Sequence, residues 1–185
     1  MSVILRKLPY FDNDTFVTFP RASGPLLVRG SQVIVWVALT RITDFNPSTS
    51  YRFPAILDTG FSHNFAIGAR QLFDWAGLEA TVLPHVGSAT ISMPGLAAST
   101  PLKVSRHEAT VWLYRNEPAQ REPLVSESPF DLQIDGGVIV YPRGFPAPRL
   151  PLLGLRGLQR SKLRLLINSD ARHVSIRSPV TTLTP

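Results

Sequence analysis

The sequence predicts a mostly β fold with one or two short helices, and three observations lead to this prediction. Short apolar runs rich in valine, isoleucine, threonine and aromatic residues recur along the chain, as is typical of strands. The 17 prolines and 12 glycines fall too often to leave room for long helices. The hydrophobic content of 44% and the charged content of 17% are typical of a globular core. Together these features favour sheets arranged as a closed barrel or a sandwich.

The strand predictions rest on nine runs between residues 32 and 176. Most of them alternate at a period of two residues or are rich in β-branched residues, which favours half-buried or fully buried strands. In chain order they are QVIVWVALTRI, FPAILD, SATISM, ATVWLY, FDLQI, GVIVYP, LPLLG, LRLLI and HVSI.

One segment has the spacing of an amphipathic helix. In IGARQLFDWAGL, residues 67–78, the apolar residues Ala69, Leu72, Phe73 and Ala76 recur every three or four positions, and Gly77 suits a helix C-cap. A shorter helical turn is predicted at residues 155–159.

A length of 185 residues favours one domain. We assign it to residues 31–178, with an N-terminal extension at 1–30 whose structure the sequence does not predict and a C-terminal tail at 179–185. Two polar segments, residues 43–52 and 115–129, are predicted to be loops.

Composition excludes several classes of function. Without cysteine the chain has no disulfide, thiolate metal site or cysteine nucleophile. Arg6 and Lys7 interrupt the first apolar run, which argues against a signal peptide, and no run approaches the roughly 18 residues of a membrane span. These features favour a cytoplasmic location without a membrane partner.

The chain is basic, with a net charge of +6, and its densest basic patch is RGLQRSKLR, residues 156–164. We interpret this patch as a solvated face, because no aromatic residues alternate with the charges as a nucleic-acid stacking platform requires. Nucleic acid is therefore not an expected partner. The four histidines are isolated in sequence and none is at metal-ligand spacing, so no metal or cofactor site is predicted.

The segment FPAILDTGFSHNF, residues 53–65, carries an acid directly after a predicted core strand. Asp58 lies at the mouth of the core, Thr59 can form hydrogen bonds, and Gly60 permits a tight turn and the close approach of another backbone. Taken alone, the tripeptide also fits an ordinary turn at a strand end.

A second motif changes this interpretation. AILDTGFSHNF resembles the active-site segment of the retropepsin-like aspartic proteases, and LPLLGLRGL, residues 150–158, resembles the family's apolar-apolar-glycine motif with its following helix. The resemblance covers roughly residues 33–176, and the Asp-Thr-Gly-Phe version is similar to a prokaryotic branch of this clan. It implies that the strand of the second motif supports the catalytic loop, and that residues 163–176 form closing strands used partly for dimerisation.

The resemblance also implies roles for single residues. Asp58 would be the acid-base carboxylate, Thr59 would join the catalytic loops of two subunits, and Gly60 would let the substrate backbone approach. This class needs two facing carboxylates that share a proton. The chain has one Asp-Thr-Gly and is too short for two lobes, so the second carboxylate must be Asp58 of another copy. The expected protein is a two-fold homodimer that cleaves a polypeptide substrate.

Two features bear on the second carboxylate and the flap. The other Asp-Gly, at Asp135 in IDGG, lacks the hydroxyl residue and is predicted to be a hairpin turn. The family closes its site with a mobile hairpin, for which the candidate is SATISMPGLAAST with Pro94 and Gly95 at the tip.

The chain departs from the viral members of the family beside the motif. Phe61 replaces a small residue, and Ser62 and Leu155 stand where those members pair an Asp with an Arg. Phe61 and Ser62 are candidate substrate-binding residues, together with Pro94 and Gly95. Because Phe61 could narrow the site, the alternative is an inactive dimer of the same fold that binds a peptide or protein partner.

Overall fold

The computed structural model describes residues 2–44, 50–91, 101–145 and 147–179. Over these ranges the protein is mostly β with two short helices, as the sequence predicts. The helices are α1 (Ala69–Ala76) and α2 (Leu155–Arg160), and a 3-10 turn covers Ala80–Val82. The strands are β1 (Val3–Pro9), β2 (Thr15–Val17), β3 (Leu26–Val28), β4 (Ile34–Thr40), β5 (Phe53–Asp58), β6 (Phe65–Gly68), β7 (His85–Ile91), β8 (Leu102–His107), β9 (Thr110–Leu113), β10 (Arg115–Asn116), β11 (Pro123–Leu124), β12 (Phe130–Leu132), β13 (Val138–Tyr141), β14 (Leu152–Gly154), β15 (Arg164–Asn168) and β16 (His173–Arg177).

Both predicted helices are confirmed. The first ends at Gly77, whose φ of 70° is in the left-handed region, and the N–H groups of Gly77 and Leu78 donate to the carbonyls of Phe73 and Leu72. This is the C-terminal arrangement that favours glycine. The residues of α1 that are buried are Leu72, Trp75 and Ala76.

The main sheet has nine strands in the order β12-β9-β4-β5-β14-β6-β13-β8-β7. Within the described residues β12 and β7 are edge strands that do not pair with each other, so the sheet is open and the predicted closed barrel is not seen. The central feature is β14, which lies between β5 and β6 although these two strands follow each other in the chain.

The predicted hairpin at Asp135 is wrong. Asp135 and Gly136 do form a turn, but β12 pairs with β9 near one edge of the sheet while β13 pairs with β6 and β8 towards the other. All four residues of β13 are buried. On one side β13 pairs with Ala66, Ile67 and Gly68 of β6, and on the other it pairs with Ser105, Arg106 and His107 of β8. The turn therefore begins a crossover along the sheet.

A second sheet joins the two ends of the described chain. It has three strands in the order β1-β16-β15, so residues of the N-terminal extension pair directly with the closing strands. The predicted loop at 115–129 contains the short ladder β10-β11. The side chain of Asn116 there bonds both backbone groups of Arg6 on β1, at 2.7 and 3.2 Å.

Most buried apolar side chains form one cluster that includes Ile4 and Leu8 of β1, Phe53 and Leu57 of β5, and Leu153 of β14. The terminal strands and the strands around Asp58 therefore share a core. A smaller cluster contains Ala66, Val104, Ile139 and Tyr141. Among the described helices, none is long and apolar enough to cross a membrane.

Candidate functional site

Asp58 is the last residue of β5, and the strand of the second motif runs beside it. β14 pairs with β5 in parallel, with Leu152 opposite Ile56 and Gly154 opposite Asp58. The expected position of LPLLG beside the Asp-Thr-Gly loop is therefore confirmed. The five preceding residues of β5 are buried or half-buried, and this anchors the backbone that carries the carboxylate.

The backbone of the following turn holds the Asp58 side chain. The Gly60 N–H donates to Asp58 Oδ1 at 2.8 Å, and the Phe61 N–H donates to the Asp58 carbonyl at 3.3 Å. The hydrogen bond from Gly60 fixes the orientation of the carboxylate. Thr59 and Gly60 are exposed, so the loop is open to solvent next to the half-buried acid.

Gly154 makes the closest contact with this loop. Its N–H donates to the Asn64 carbonyl at 2.9 Å. A Cβ at this position would overlap the carbonyl oxygens of Phe61 and His63. Because those atoms belong to backbone and cannot rotate away, only glycine fits where β14 passes under the loop.

Asn64 links the loop to two other parts of the fold, and the sequence analysis did not identify it. Its side chain is buried and donates to the Asp135 carbonyl, at the crossover that precedes β13. Its carbonyl faces Gly157 of α2, where a Cβ would approach it to 3.1 Å. The sequence around Asn64 does not indicate these contacts, because Asp135 and Gly157 are both distant from Asn64 in the chain.

Phe61 packs partly into the fold. Its ring is half-buried, contacts the smaller apolar cluster, and lies edge-on to the ring of His63 with centroids 5.5 Å apart. The ring therefore has a packing role in addition to bordering the site.

A surface depression of about 760 Å³ lies between the Asp58 loop and α2. We call it the α2 pocket. Its lining residues are Thr59, Gly60, Phe61, Ser62, Leu155, Arg156, Gln159, Arg160 and Lys162.

The α2 pocket unites four predicted site residues, Thr59 to Ser62, with three cations that the sequence analysis assigned to a solvated face. One sequence feature could have indicated that these cations lie near the loop, namely their position directly after LPLLG. Because β14 pairs with β5, the helix that follows β14 begins beside the Asp58 loop. Ser62 and Leu155 both line this pocket.

His63 lies in a positive environment. Burial lowers the pKa of its imidazole from the ordinary value of 6.5, and the charges of Arg156 and Arg106 lower it further. Neutral imidazole is favoured because a third positive charge would be repelled by the two guanidinium groups.

The candidate flap is only partly described. β7 and β8 pair in antiparallel register from His85–His107 to Ile91–Leu102, so the predicted flanking strands are present. Pro94 and Gly95 lie outside the described residues.

The site consists of an aspartate held by a glycine N–H, a second glycine packed beneath its loop, and a basic pocket at its side. Such a site can present one carboxylate to a ligand. No protein-family model, curated protein or solved structure matches this chain.

Proposed function

We propose that the protein is an aspartic endopeptidase of the retropepsin-like type, with a fold that forms one half of a two-fold dimer. The observation that carries this proposal is the insertion of β14 between β5 and β6, which sets Gly154 opposite Asp58 and directly beneath the Asp-Thr-Gly turn. An ordinary turn at a strand end does not require a distant glycine in close contact with its backbone.

The proposed chemistry uses two copies of Asp58 that share one proton. The ionised carboxylate takes a proton from water as the water oxygen bonds to the scissile carbonyl carbon. The protonated carboxyl of the other copy donates to the carbonyl oxygen, giving a tetrahedral intermediate. The proton taken from water then passes to the amide nitrogen as the C–N bond breaks. A hydroxyl of the intermediate gives its proton to the other carboxylate and becomes the carbonyl of the carboxylic acid product, so that the pair holds one proton again.

The second copy needs a docking surface, and β15 offers one. Within the described residues β15 pairs only with β16, so its other edge is open. Leu166 is 47% exposed and Ile167 is 55% exposed on this strand. An open edge with exposed aliphatic side chains favours pairing with another strand.

The opposite edge of the same sheet is covered. Asn116 bonds the backbone of Arg6 on β1, and Arg115 donates to the Val3 carbonyl at 2.8 Å. Only the β15 edge of this sheet therefore remains open in the part of the chain that the structure describes, and we assign it to the dimer.

Charge disfavours one register for this pairing. If two β15 strands pair in antiparallel fashion about Leu166, then Leu165 faces Ile167 of the other copy and Arg164 faces Asn168. A register centred on Arg164 would place like charges directly opposite, which is destabilising. We place Leu166, the middle residue of β15, on the two-fold axis, because this register keeps the two copies of Arg164 apart.

The alternative function is an inactive dimer that binds a peptide or protein partner. Phe61 is the observation that favours it, because its half-buried ring borders the α2 pocket next to the hydrogen bond between Gly60 and Asp58. A ring at this position reduces the space open to a substrate backbone.

The test compares the wild-type protein with Asp58→Asn on a mixed peptide library between pH 3 and 8, with mass-spectrometric detection. The substituted amide retains an oxygen that can accept the Gly60 N–H but cannot act as an acid-base group. Cleavage by the wild type alone, with a bell-shaped pH profile, supports the enzyme. Two uncut libraries from dimeric proteins support the alternative. A monomeric protein that remains active would refute the shared dyad.

A further inference from the structure

We propose that the α2 pocket binds a carboxylate side chain of a polypeptide, so that acidic residues near the scissile bond mark the substrates of this protein. That the bound polypeptide is a substrate rests on the proposed protease function, but the binding of a carboxylate can be tested separately. Arg156, Arg160 and Lys162 are its three charged lining residues, and no carboxylate is among the described residues that line the pocket.

Only part of this positive charge is neutralised. Arg160 pairs with Asp135 at 3.6 Å, and the two side chains are 50% and 67% exposed. Within 4.0 Å, neither Arg156 nor Lys162 has a carboxylate partner among the residues that the structure describes. These two cations attract an anion to the pocket and strengthen each hydrogen bond to it.

The position of Lys162 gives a second argument. Lys162 follows α2 with a φ of 54°, a left-handed conformation that favours glycine or asparagine and costs a lysine about 1 kcal/mol. The N–H of Lys162 donates to the Gln159 carbonyl, and the next N–H donates to Leu158, so the backbone of this turn is fixed. The fixed turn therefore keeps Lys162 among the residues that line the pocket.

The neighbouring histidine is consistent with a positive pocket. Burial lowers the pKa of His63 most, and the charges of Arg156 and Arg106 lower it further. Of these two arginines, Arg156 lines the pocket, and its charge would also attract a carboxylate there.

Neutral donors complete a site for a carboxylate. Thr59, Ser62 and Gln159 line the same pocket and can donate to an oxygen that a guanidinium leaves free. Because Thr59 is next to Asp58, a side chain held here belongs to a peptide that passes the candidate carboxylate.

A peptide fits this pocket better than a nucleic acid does. Single-stranded nucleic acid is bound by successive stacking on exposed aromatic rings. Among the described lining residues the pocket has one ring, Phe61, which is half-buried and packs against the smaller apolar cluster. A volume of about 760 Å³ holds a few side chains.

The test measures binding to Asp58→Asn, which should not cut the probe. Fluorescence anisotropy is recorded with labelled (Ala-Glu)5, (Ala-Gln)5 and (Ala-Lys)5 decapeptides and with a dT10 oligonucleotide. We expect (Ala-Glu)5 to bind about tenfold more tightly than (Ala-Gln)5, since each of two exposed ion pairs contributes up to about fivefold. The difference should shrink at 0.5 M salt because exposed charges are screened.

Two variants locate the binding. Lys162→Asn removes a positive charge, and asparagine tolerates the left-handed backbone conformation of this position. Arg156→Gln removes a positive charge from an exposed position of α2. Neither substitution should disturb folding. Each should weaken (Ala-Glu)5 binding about fivefold. Arg29→Gln is the matched control, because Arg29 is exposed and lies outside the pocket lining. It should change binding less than about twofold.

Several results would overturn the inference. Equal binding of (Ala-Glu)5 and (Ala-Gln)5, or tighter binding of dT10, would exclude recognition of an acidic peptide. Equal effects of all three substitutions would place the binding outside the pocket. Loss of peptide binding as the protein dimerises would mean that the second copy covers the pocket. The protease proposal fails separately. Acid-selective binding without cleavage by the wild type would support the proposed pocket and refute the proposed enzyme. Cleavage without acid selectivity would support the enzyme and refute the pocket.

Discussion

Gly154 lies opposite Asp58 on two parallel neighbouring strands, and its lack of a side chain lets β14 pass under the loop that Asp58 begins. The two residues are far apart in sequence, so the geometry of the carboxylate depends on a strand formed much later in the chain. Packing of β14 and orientation of Asp58 are therefore coupled.

This coupling predicts a large effect of Gly154→Ala. The added methyl group would overlap the carbonyl oxygens of Phe61 and His63, and relief requires movement of the loop backbone. We expect a loss of about 3 kcal/mol in the free energy of unfolding, measured by urea denaturation. Gly24→Ala is the control, since a Cβ there meets nothing within 4 Å. Equal denaturation midpoints for the two variants would contradict the close packing.

Two substitutions of Asp58 separate catalysis from stability. Asp58→Asn should leave the free energy of unfolding within about 0.5 kcal/mol, because its amide oxygen can accept the Gly60 N–H. Asp58→Ala removes that acceptor and should cost about 1 kcal/mol. Both should abolish peptide cleavage. Residual cleavage by either variant would show that Asp58 is not the acid-base group, whatever its effect on stability.

A cysteine at Leu166 tests the proposed dimer contact. The wild-type chain has no cysteine, so Leu166→Cys introduces a single thiol. Directly opposed residues of antiparallel strands have Cα atoms about 4.5–5.5 Å apart, within the range of a disulfide. We expect rapid formation of a covalent dimer under mild oxidation, seen on a non-reducing gel. Asp170→Cys, in the exposed turn after β15, should crosslink more slowly. Equal rates would place the interface elsewhere.

His63 predicts a pH dependence of stability. Because burial and then Arg156 and Arg106 lower the pKa of His63 in the folded state, the unfolded chain binds a proton more readily. The stabilising contribution of neutral His63 is therefore complete above its ordinary pKa of 6.5 and is lost as the pH falls towards the lower folded value.

The measurement is urea denaturation at pH 7.5 and at pH 5 for the wild type and His63→Gln. The wild type should lose more stability between the two pH values than the variant does, because glutamine does not titrate in this range. An equal loss in both proteins would assign the pH dependence to other groups.

Local signals explain which parts of the fold the sequence could predict. The periodicity of residues 67–78 and Gly77 predict α1 and its end, and the apolar run before Asp58 predicts β5. Both depend on neighbouring residues. The strands after 163 and the short helix at 155 are predicted for the same reason.

Long-range pairing explains most of what the sequence missed. Nothing in Val3–Pro9 indicates that this segment pairs with β16, and an Asp-Gly turn predicts a hairpin although β12 and β13 pair with different strands. Among site residues, Thr59 to Ser62 follow from the motif. The basic run alone does not predict the place of Lys162, because such a run has the same pattern on a solvated face as beside a pocket. Only its position after LPLLG connects it with the loop.

The position of β14 between two strands that precede it in the chain has a consequence for synthesis on the ribosome. β5 and β6 emerge early, but residues 69–151 must be made before β14 can separate them, which takes roughly 4–17 s at common elongation rates. During that time Asp58 has no strand beneath its loop. For a longer time β1 also lacks its partner strand, because β16 follows β14 in the chain. Growing chains should therefore lack a completed site until β14 has been made, so that the loop of Asp58 gains its support only after the strands on both sides of it exist.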